Sequence, residues 1–384
     1  MSREFLIPKK VITGKGALES AMSDIVKTGK KPLIVSGPNV SKLDGFKTLV
    51  SALEKMNVPY AVFSGITGEP TDVMVDGALS EYRKNNCDFL IGIGGGSPLD
   101  TVKAVAVKTV YDKPLRKFLG IEVTGDFPPV IAIPTTAGTG SEATKFTVIT
   151  DSETDVKMLL KGADLIPDLA VVDYEYTKTS PKNITVSTGL DALTHAVEAY
   201  TSKLAQPLTD ALAISAVKRI FKYLPLAYRN GDDEKAREEM SAAALEAGIC
   251  INNSSVTVVH GMSRPIGALF HVPHGLSNAM LLEKCMKFAY DGAPERFADL
   301  AFAAGVAEKD DTPLCAAEKF VFALGALCKE CSVPTILEYG IDAAEFEKAI
   351  PKMTADALAS GSPQNTRKNV NKDDAEKIYK SLIM

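Results

Sequence analysis

The amino-acid sequence predicts an N-terminal α/β domain built on a doubly wound parallel sheet, followed by an all-helical C-terminal domain. Three observations predict it. Short β-rich runs alternate with helical stretches through the first half. Those runs are apolar without polar alternation, as strands buried on both faces are. Beyond about residue 183, Ala, Leu, Glu and Lys take over with helical periodicity. The length of 384 residues also exceeds what a single core usually holds. The domains are placed at 1–183 and 184–384.

In chain order the predicted strands are 32–36, 60–63, 88–93, 129–134 and 169–173, with helices near 42–56, 72–86 and 98–109. Parallel neighbours need a crossover helix, and the spacing supplies one each time. Segments 146–149 and 156–160 flank Asp151-Ser152-Glu153-Thr154 and predict a hairpin added to this domain. In the second half, 191–201, 210–224, 233–250 and 312–329 read as helices.

Composition narrows the function. Apolar residues make up 46% and charged residues 24%, which excludes disordered and fibrous classes. The net charge is −5, so the chain has no basic excess for nucleic acid. No apolar run reaches the ~18 residues of a membrane span, and the N-terminus has no stretch suited to a signal peptide. The expectation is a cytoplasmic protein without nucleic-acid or membrane partners. Six cysteines do not make a disulfide framework. Cys328 and Cys331 form one CxxC with no second pair, which reads as two thiols on one helix turn.

Two loops point to a nucleotide. The run Gly92-Ile93-Gly94-Gly95-Gly96-Ser97-Pro98-Leu99-Asp100 is a strand end, a glycine turn and a helix start. Glycines let the backbone approach a bulky anion, and a helix N-terminus favours phosphate. Ser97 suits the N-cap and Pro98 the first helical position. Asp100, one turn in, is placed to reach a ribose hydroxyl. The same turn also serves as a plain, well-capped strand-to-helix junction. The second loop, Pro134-Thr135-Thr136-Ala137-Gly138-Thr139-Gly140-Ser141-Glu142, follows the next strand, on the edge where open α/β sheets bind ligands. After the first predicted strand come Gly37 and Asn39, with no acid to repel a 2′-phosphate, so NADP(H) is not excluded beside NAD(H).

The four histidines, His195, His260, His271 and His274, fall within 80 residues. Asp191 and His195 are four apart and share a helix face. His260 sits among small and apolar residues, and His274 lies between Pro273 and Gly275 at a helix start. One Asp with three His makes a mixed N/O site with open positions, suited to Fe²⁺ or Zn²⁺ in a catalytic role.

At these residues the chain resembles the iron-containing (group III) alcohol dehydrogenases over essentially its full length. The matching segments are Gly94-Gly95-Gly96-Ser97 with Asp100 and Lys103, the loop 134–142, the helix segment 189–198, and His260 through His274. The resemblance implies a dinucleotide-binding α/β domain and a helical domain with a cleft between them, an architecture shared with dehydroquinate synthase. It implies Asp191, His195, His260 and His274 as metal ligands. It puts cofactor contacts on Gly95, Gly96, Ser97, Asp100, Thr135, Thr136, Thr139 and Lys157, beside Gly37 from the reading above. It also implies a homodimer or larger homo-oligomer.

One departure stands out. Many members carry a further histidine where this chain has Arg264. Arginine stays protonated and cannot act as a general base, but it clamps carboxylates, sulfonates or phosphonates. It also pairs with acids such as Glu198 or caps a helix. His271 is the remaining non-ligand histidine and the candidate proton carrier. The expected function is a metal-dependent, NAD(P)-linked alcohol dehydrogenase or short-chain aldehyde reductase. The alternatives are a reductase of an anionic aldehyde using Arg264, a dehydroquinate synthase-type lyase, and a non-enzymatic nucleotide-binding module.

Overall fold

A computed structural model describes residues 2–154 and 156–384. The chain forms two units, Leu6–Ser180 and Pro181–Met384, the latter together with the residues up to Phe5. The division falls three residues before the boundary read from composition. The N-terminal residues join the helical unit, where Gln206 Nε2 donates to the Glu4 carbonyl at 3.1 Å.

In the first unit the order is β1 (Lys10–Thr13), α1 (Ala17–Thr28), β2 (Pro32–Val35), α2 (Asp44–Lys55), β3 (Ala61–Phe63), α3 (Asp72–Lys84), β4 (Phe89–Gly94), α4 (Gly96–Val110) and β5 (Val130–Pro134). Strands β6 (Phe146–Thr150), β7 (Lys157–Lys161) and β8 (Leu169–Val172) follow. Six strands pair in parallel in the order β1-β8-β5-β4-β2-β3. Alternate side chains of each strand feed opposite faces. Ile34, Ile91 and Ile131 pack with Leu18, Ile25, Leu49 and Leu53 of α1 and α2. Leu33, Val35 and Leu90 pack with Val75, Leu79, Val102 and Val105 of α3 and α4. This is the doubly wound sheet predicted from the uniformly apolar runs.

The winding reverses between β2 and β4, since β3 extends one way and β5 and β8 the other. A crevice outside the strands' carboxyl ends is the usual ligand position at such a point. Gly37 follows β2 there, and the glycine turn follows β4.

The structure departs from the sequence reading at three points in this unit. Strand β1 was not predicted, because a four-residue edge strand with charged and hydroxyl ends has little pattern. Helix α1 was not predicted either. The N-cap of α4 is Gly95, so Ser97 and Pro98 lie inside the first turn rather than at the cap and first position. The hairpin expected over 146–149 and 156–160 is present as β6–β7, a two-stranded antiparallel sheet of its own within this unit.

The second unit is helical: α5 (Lys182–Thr201), α6 (Pro207–Arg229), α7 (Glu234–Ser254), α8 (Val258–Phe270), α9 (His274–Ala289), α10 (Pro294–Ala304), α11 (Pro313–Glu330), α12 (Ala343–Ala359) and α13 (Lys372–Lys380). Helix α5 starts nine residues before its predicted 191 and packs against α6, α7 and α9, while α8 packs against α9. Cys328 lies in α11 and Cys331 caps it, and both are free thiols pushed up to about 12, chiefly by burial. Among the described residues no single helix is long and apolar enough to cross a membrane.

Candidate active site

The glycine turn and the second loop meet in the α/β unit. A Cβ at Gly96 would stand 3.0 Å from Thr139 Cγ2, and one at Gly95 would stand 3.5 Å from Thr136 Oγ1. The Thr135 N–H donates to the Gly94 carbonyl at 2.8 Å, continuing the β4–β5 ladder into both loops. At Gly95 and Gly96 the nearest groups are thus the hydroxyls and methyls of Thr136 and Thr139. Such a glycine-walled helix start accepts a phosphate.

A buried lysine fastens this edge. Lys103 on α4 is fully buried. Its Nζ donates to the carbonyls of Ser141 (2.6 Å), Thr144 (2.9 Å) and Phe146 (2.8 Å), and lies 3.1 Å from the hydroxyls of Ser141 and Thr144. Burial lowers its pKa to about 8 against the pull of Asp100 and Glu142.

Asp100 belongs to the same strut. Its Oδ1 accepts from the Ser141 hydroxyl (2.6 Å) and its Oδ2 from the Val148 N–H (2.8 Å). Both oxygens expected at a ribose are thus engaged within the protein. Lys157, the other charged cofactor candidate, pairs with Glu69 at 2.8 Å.

Glu142 beside the lysine is 2% exposed, and burial pushes its pKa up to about 7, against its own backbone N–H and Lys103. A carboxyl raised from 4.5 in the folded state contributes stability that is fully present below pH 4.5 and lost as pH rises through about 7. The unfolding free energy from urea titration is expected to fall by about 3 kcal/mol across that window from this group. Glu142→Gln removes the fall. An unchanged slope in that variant would refute the assignment.

The second constellation lies in the helical unit. Asp191, His195, His260 and His274 each offer one donor atom, and all four lie within 4.8 Å of one another. Asp191 Oδ1 stands 3.7 Å from His195 Nε2, 3.6 Å from His260 Nε2 and 3.7 Å from His274 Nε2. Donors about 2.1 Å from one ion in a tetrahedron stand about 3.4 Å apart, so the spacing is near that of ligation. Asp191, His195 and His260 are buried, and His274 is partly exposed.

Three helices build the cluster. Asp191 and His195 are one turn apart on α5, His260 is in the first turn of α8, and His274 opens α9 as predicted. Gly275 lets α9 come so close to α5 that an added Cβ would stand 2.3 Å from the Ser187 carbonyl oxygen and 3.2 Å from Asp191 Cβ. A side chain there would push His274 away from Asp191.

Two residues that sequence reasoning did not assign to the cluster complete it. Glu198 is fully buried on α5. Its Oε2 lies 2.6 Å from His260 Nδ1, and its Oε1 accepts from the Thr257 hydroxyl (2.7 Å) and the Val259 N–H (2.6 Å). Burial works against its ionisation, but His260 and Thr257 hold its pKa below the usual carboxylate range. Burial likewise opposes ionisation of Asp191, and the three histidines hold it far below that range. Asn278 Nδ2 donates to Asp191 Oδ1 at 2.7 Å and lies 3.0 Å from His260 Nε2 and 3.3 Å from His274 Nε2. The available signals were Glu198 seven residues after Asp191 and Asn278 four after His274, each on the helix face of a donor.

Arg264, one turn after His260 on α8, donates to Ser362 Oγ at 3.2 Å. Among the described residues it makes no ion pair, and the Glu198 oxygens are taken by Thr257, Val259 and His260. Burial lowers its pKa, against the attraction of Glu198. His271 stands outside the quartet. It is exposed and ends α8 in the left-handed conformation, φ 54°.

One unit holds a glycine-rich strand-to-helix turn and the other an Asp–His₃ donor set, groups suited to a nucleotide phosphate and to a divalent ion. Comparison with known proteins narrows the chemistry. The family described as "Iron-containing alcohol dehydrogenase" matches residues 8–174, and "Fe-containing alcohol dehydrogenase family, C-terminal" matches 185–383. The chain is 36% identical over 381 residues to 1,3-propanediol dehydrogenase of Citrobacter freundii, covering 97% of each chain. It is 33% identical to NADPH-dependent butanol dehydrogenase of Clostridium saccharobutylicum, covering 98% of this chain and 97% of that one. A solved structure of 1,3-propanediol oxidoreductase superimposes with a TM-score of 0.96 at 32% identity, covering 100% of both chains. The chain belongs to the iron-containing alcohol dehydrogenase family, enzymes of oxidoreduction at CH–OH groups.

Proposed function

We propose that this protein interconverts short-chain aldehydes and alcohols with NAD(P)(H), working as an aldehyde reductase. The observation that carries the reading is the set of four donor atoms at near-ligation spacing on Asp191, His195, His260 and His274. Neutral imidazoles with one carboxylate suit Fe²⁺, or Zn²⁺ as the second choice. Bound there, such an ion supplies Lewis acidity toward a substrate oxygen, and the nicotinamide supplies the hydride.

The chain's own residues do the rest. Residues 1–183 serve as the dinucleotide-binding domain and 184–384 as the metal-binding domain. The N–H groups at Gly95, Gly96 and Ser97 take the cofactor phosphates, with Thr135, Thr136 and Thr139 beside them. Gly37 carries no charge to repel a 2′-phosphate, and a side chain there would meet the Ile66 carbonyl oxygen at 2.9 Å. Lys157, with one of its three N–H donors on Glu69, takes a cofactor oxygen with another. The Asp100 carboxylate acts through Ser141 and Val148. His271, as an exposed imidazole, exchanges the reaction's proton with water. The partners are small alcohols or aldehydes and further copies of the chain in a homodimer or larger homo-oligomer, with no nucleic acid or membrane, in the cytoplasm.

Arg264 supports a second reading. A largely buried guanidinium with one hydroxyl partner has donors to spare for an anionic aldehyde, such as a semialdehyde or a sulfo- or phosphonoacetaldehyde. The test is NADH and NADPH oxidation by Fe²⁺-reconstituted protein with propanal against succinic semialdehyde. The first reading expects the higher kcat/KM for propanal, with little change in Arg264→Ala. A reversed preference that falls about 10–100-fold in Arg264→Ala gives the site to the anionic substrate.

A further inference from the structure

We infer that Glu198 is a positioning residue that fixes His260 in the tautomer with its Nε2 lone pair turned to the donor cluster. The inference rests on the metal reading above. A carboxylate only accepts hydrogen bonds, so the 2.6 Å contact puts the His260 proton on Nδ1. Nε2 then keeps its lone pair, 3.6 Å from Asp191 Oδ1. The two other donors on Glu198, the Thr257 hydroxyl and the Val259 N–H, hold the carboxylate at the first turn of α8. They give it no freedom to release the imidazole. Carboxylates and carbonyls behind metal-binding imidazoles commonly fix the ring in this way and raise its basicity.

The same geometry makes Glu198→Gln a sharp probe. The Val259 N–H cannot rotate, so the glutamine oxygen must stay on that side, where it also keeps the Thr257 hydroxyl. The amide NH₂ then faces His260 Nδ1. Two donors cannot share that contact, so the imidazole proton moves to Nε2 and blocks the lone pair the cluster needs. The helix contact is preserved while the tautomer is reversed.

The test titrates Zn²⁺ and Co²⁺ against a competing chromophoric chelator for wild type, Glu198→Gln and Thr257→Val. It adds ¹⁵N histidine side-chain spectra of the Zn²⁺-loaded protein, in which only four imidazoles appear. Glu198→Gln is expected to weaken both metals about 10–100-fold. Thr257→Val, which leaves the His260 contact in place, is expected to bind within about threefold of wild type. The wild-type spectrum is expected to show His260 protonated at Nδ1. Equal weakening in both variants, or unchanged affinity in Glu198→Gln, overturns the inference. If Glu198→Gln does not fold, the wild-type spectrum decides, and a His260 protonated at Nε2 overturns it. A wild type that binds neither metal defeats the metal reading itself, which is a separate result.

Discussion

Asp191→Ala is expected to abolish stoichiometric metal binding and to lower kcat/KM for aldehyde reduction at least about 10³-fold. Asp191 is the one anion among the four donors, and its Oδ1 stands within 3.7 Å of all three imidazole Nε2 atoms. Alanine leaves three neutral imidazoles to hold a divalent ion in a buried setting. Lewis-acid stabilisation is worth several kcal/mol, and 1.36 kcal/mol is tenfold in rate. Asn278 also loses its 2.7 Å acceptor, which loosens α9 where His274 begins. Metal content after Fe²⁺ reconstitution and NADH oxidation kinetics check this together. Full metal occupancy in the variant would mean that the quartet is not the metal site.

Lys103→Met is expected to destabilise the α/β unit by about 3–5 kcal/mol, because three buried carbonyls lose their donor at about 1–3 kcal/mol each. Methionine matches the length of the stem but offers no donor. The carbonyls of Ser141, Thr144 and Phe146 lose their shared partner, and Asp100 and Glu142 lose the nearby cation. The loop carrying Thr135, Thr136 and Thr139 is tied to α4 through this ammonium, so NADH affinity by fluorescence titration is expected to fall about tenfold or more. Adding Glu142→Gln is expected to recover part of the stability, because one buried charge then no longer needs a partner. Urea unfolding of the two single variants and the double variant measures that coupling. A Lys103→Met protein with wild-type stability and cofactor affinity would reduce the strut to incidental packing.

The metal quartet was legible because histidine is scarce: four in the chain, three of them in the cluster. The Asp191–His195 spacing named a helix face, and the Pro273-His274-Gly275 run marked a helix start. The central strands β2, β4, β5 and β8 were legible because burial on both faces demands unbroken apolar runs. Helix α1 also carries a readable pattern, Leu18, Ala21, Met22 and Ile25 on one buried face. Strand β1 does not, since Lys10 and Thr13 at its ends are exposed and Val11 and Ile12 between them are only partly buried.

Other roles were not legible, and each involves a partner far along the chain. Glu198 reads in sequence as a partner for Arg264, and the structure gives it to His260, 62 residues on. Asp100 reads as a ribose contact, and the structure adds a second role, because its oxygens also accept from Ser141 and Val148. Ser97 reads as a cap, and the helix begins one residue earlier at Gly96.

The sequence by itself determined the alternating α/β first half with its doubly wound sheet, the helical second half and the kinds of donor available for chemistry. Periodicity, caps and residue type act over a few neighbours, and each is written locally. Only the tertiary structure decided which donors meet. Asp191, His260 and His274 come together because α5, α8 and α9 pack with a glycine at the closest crossing, and Glu198 turns one imidazole toward the others. Such contacts depend on the relative placement of whole helices, which no pattern along a single helix carries.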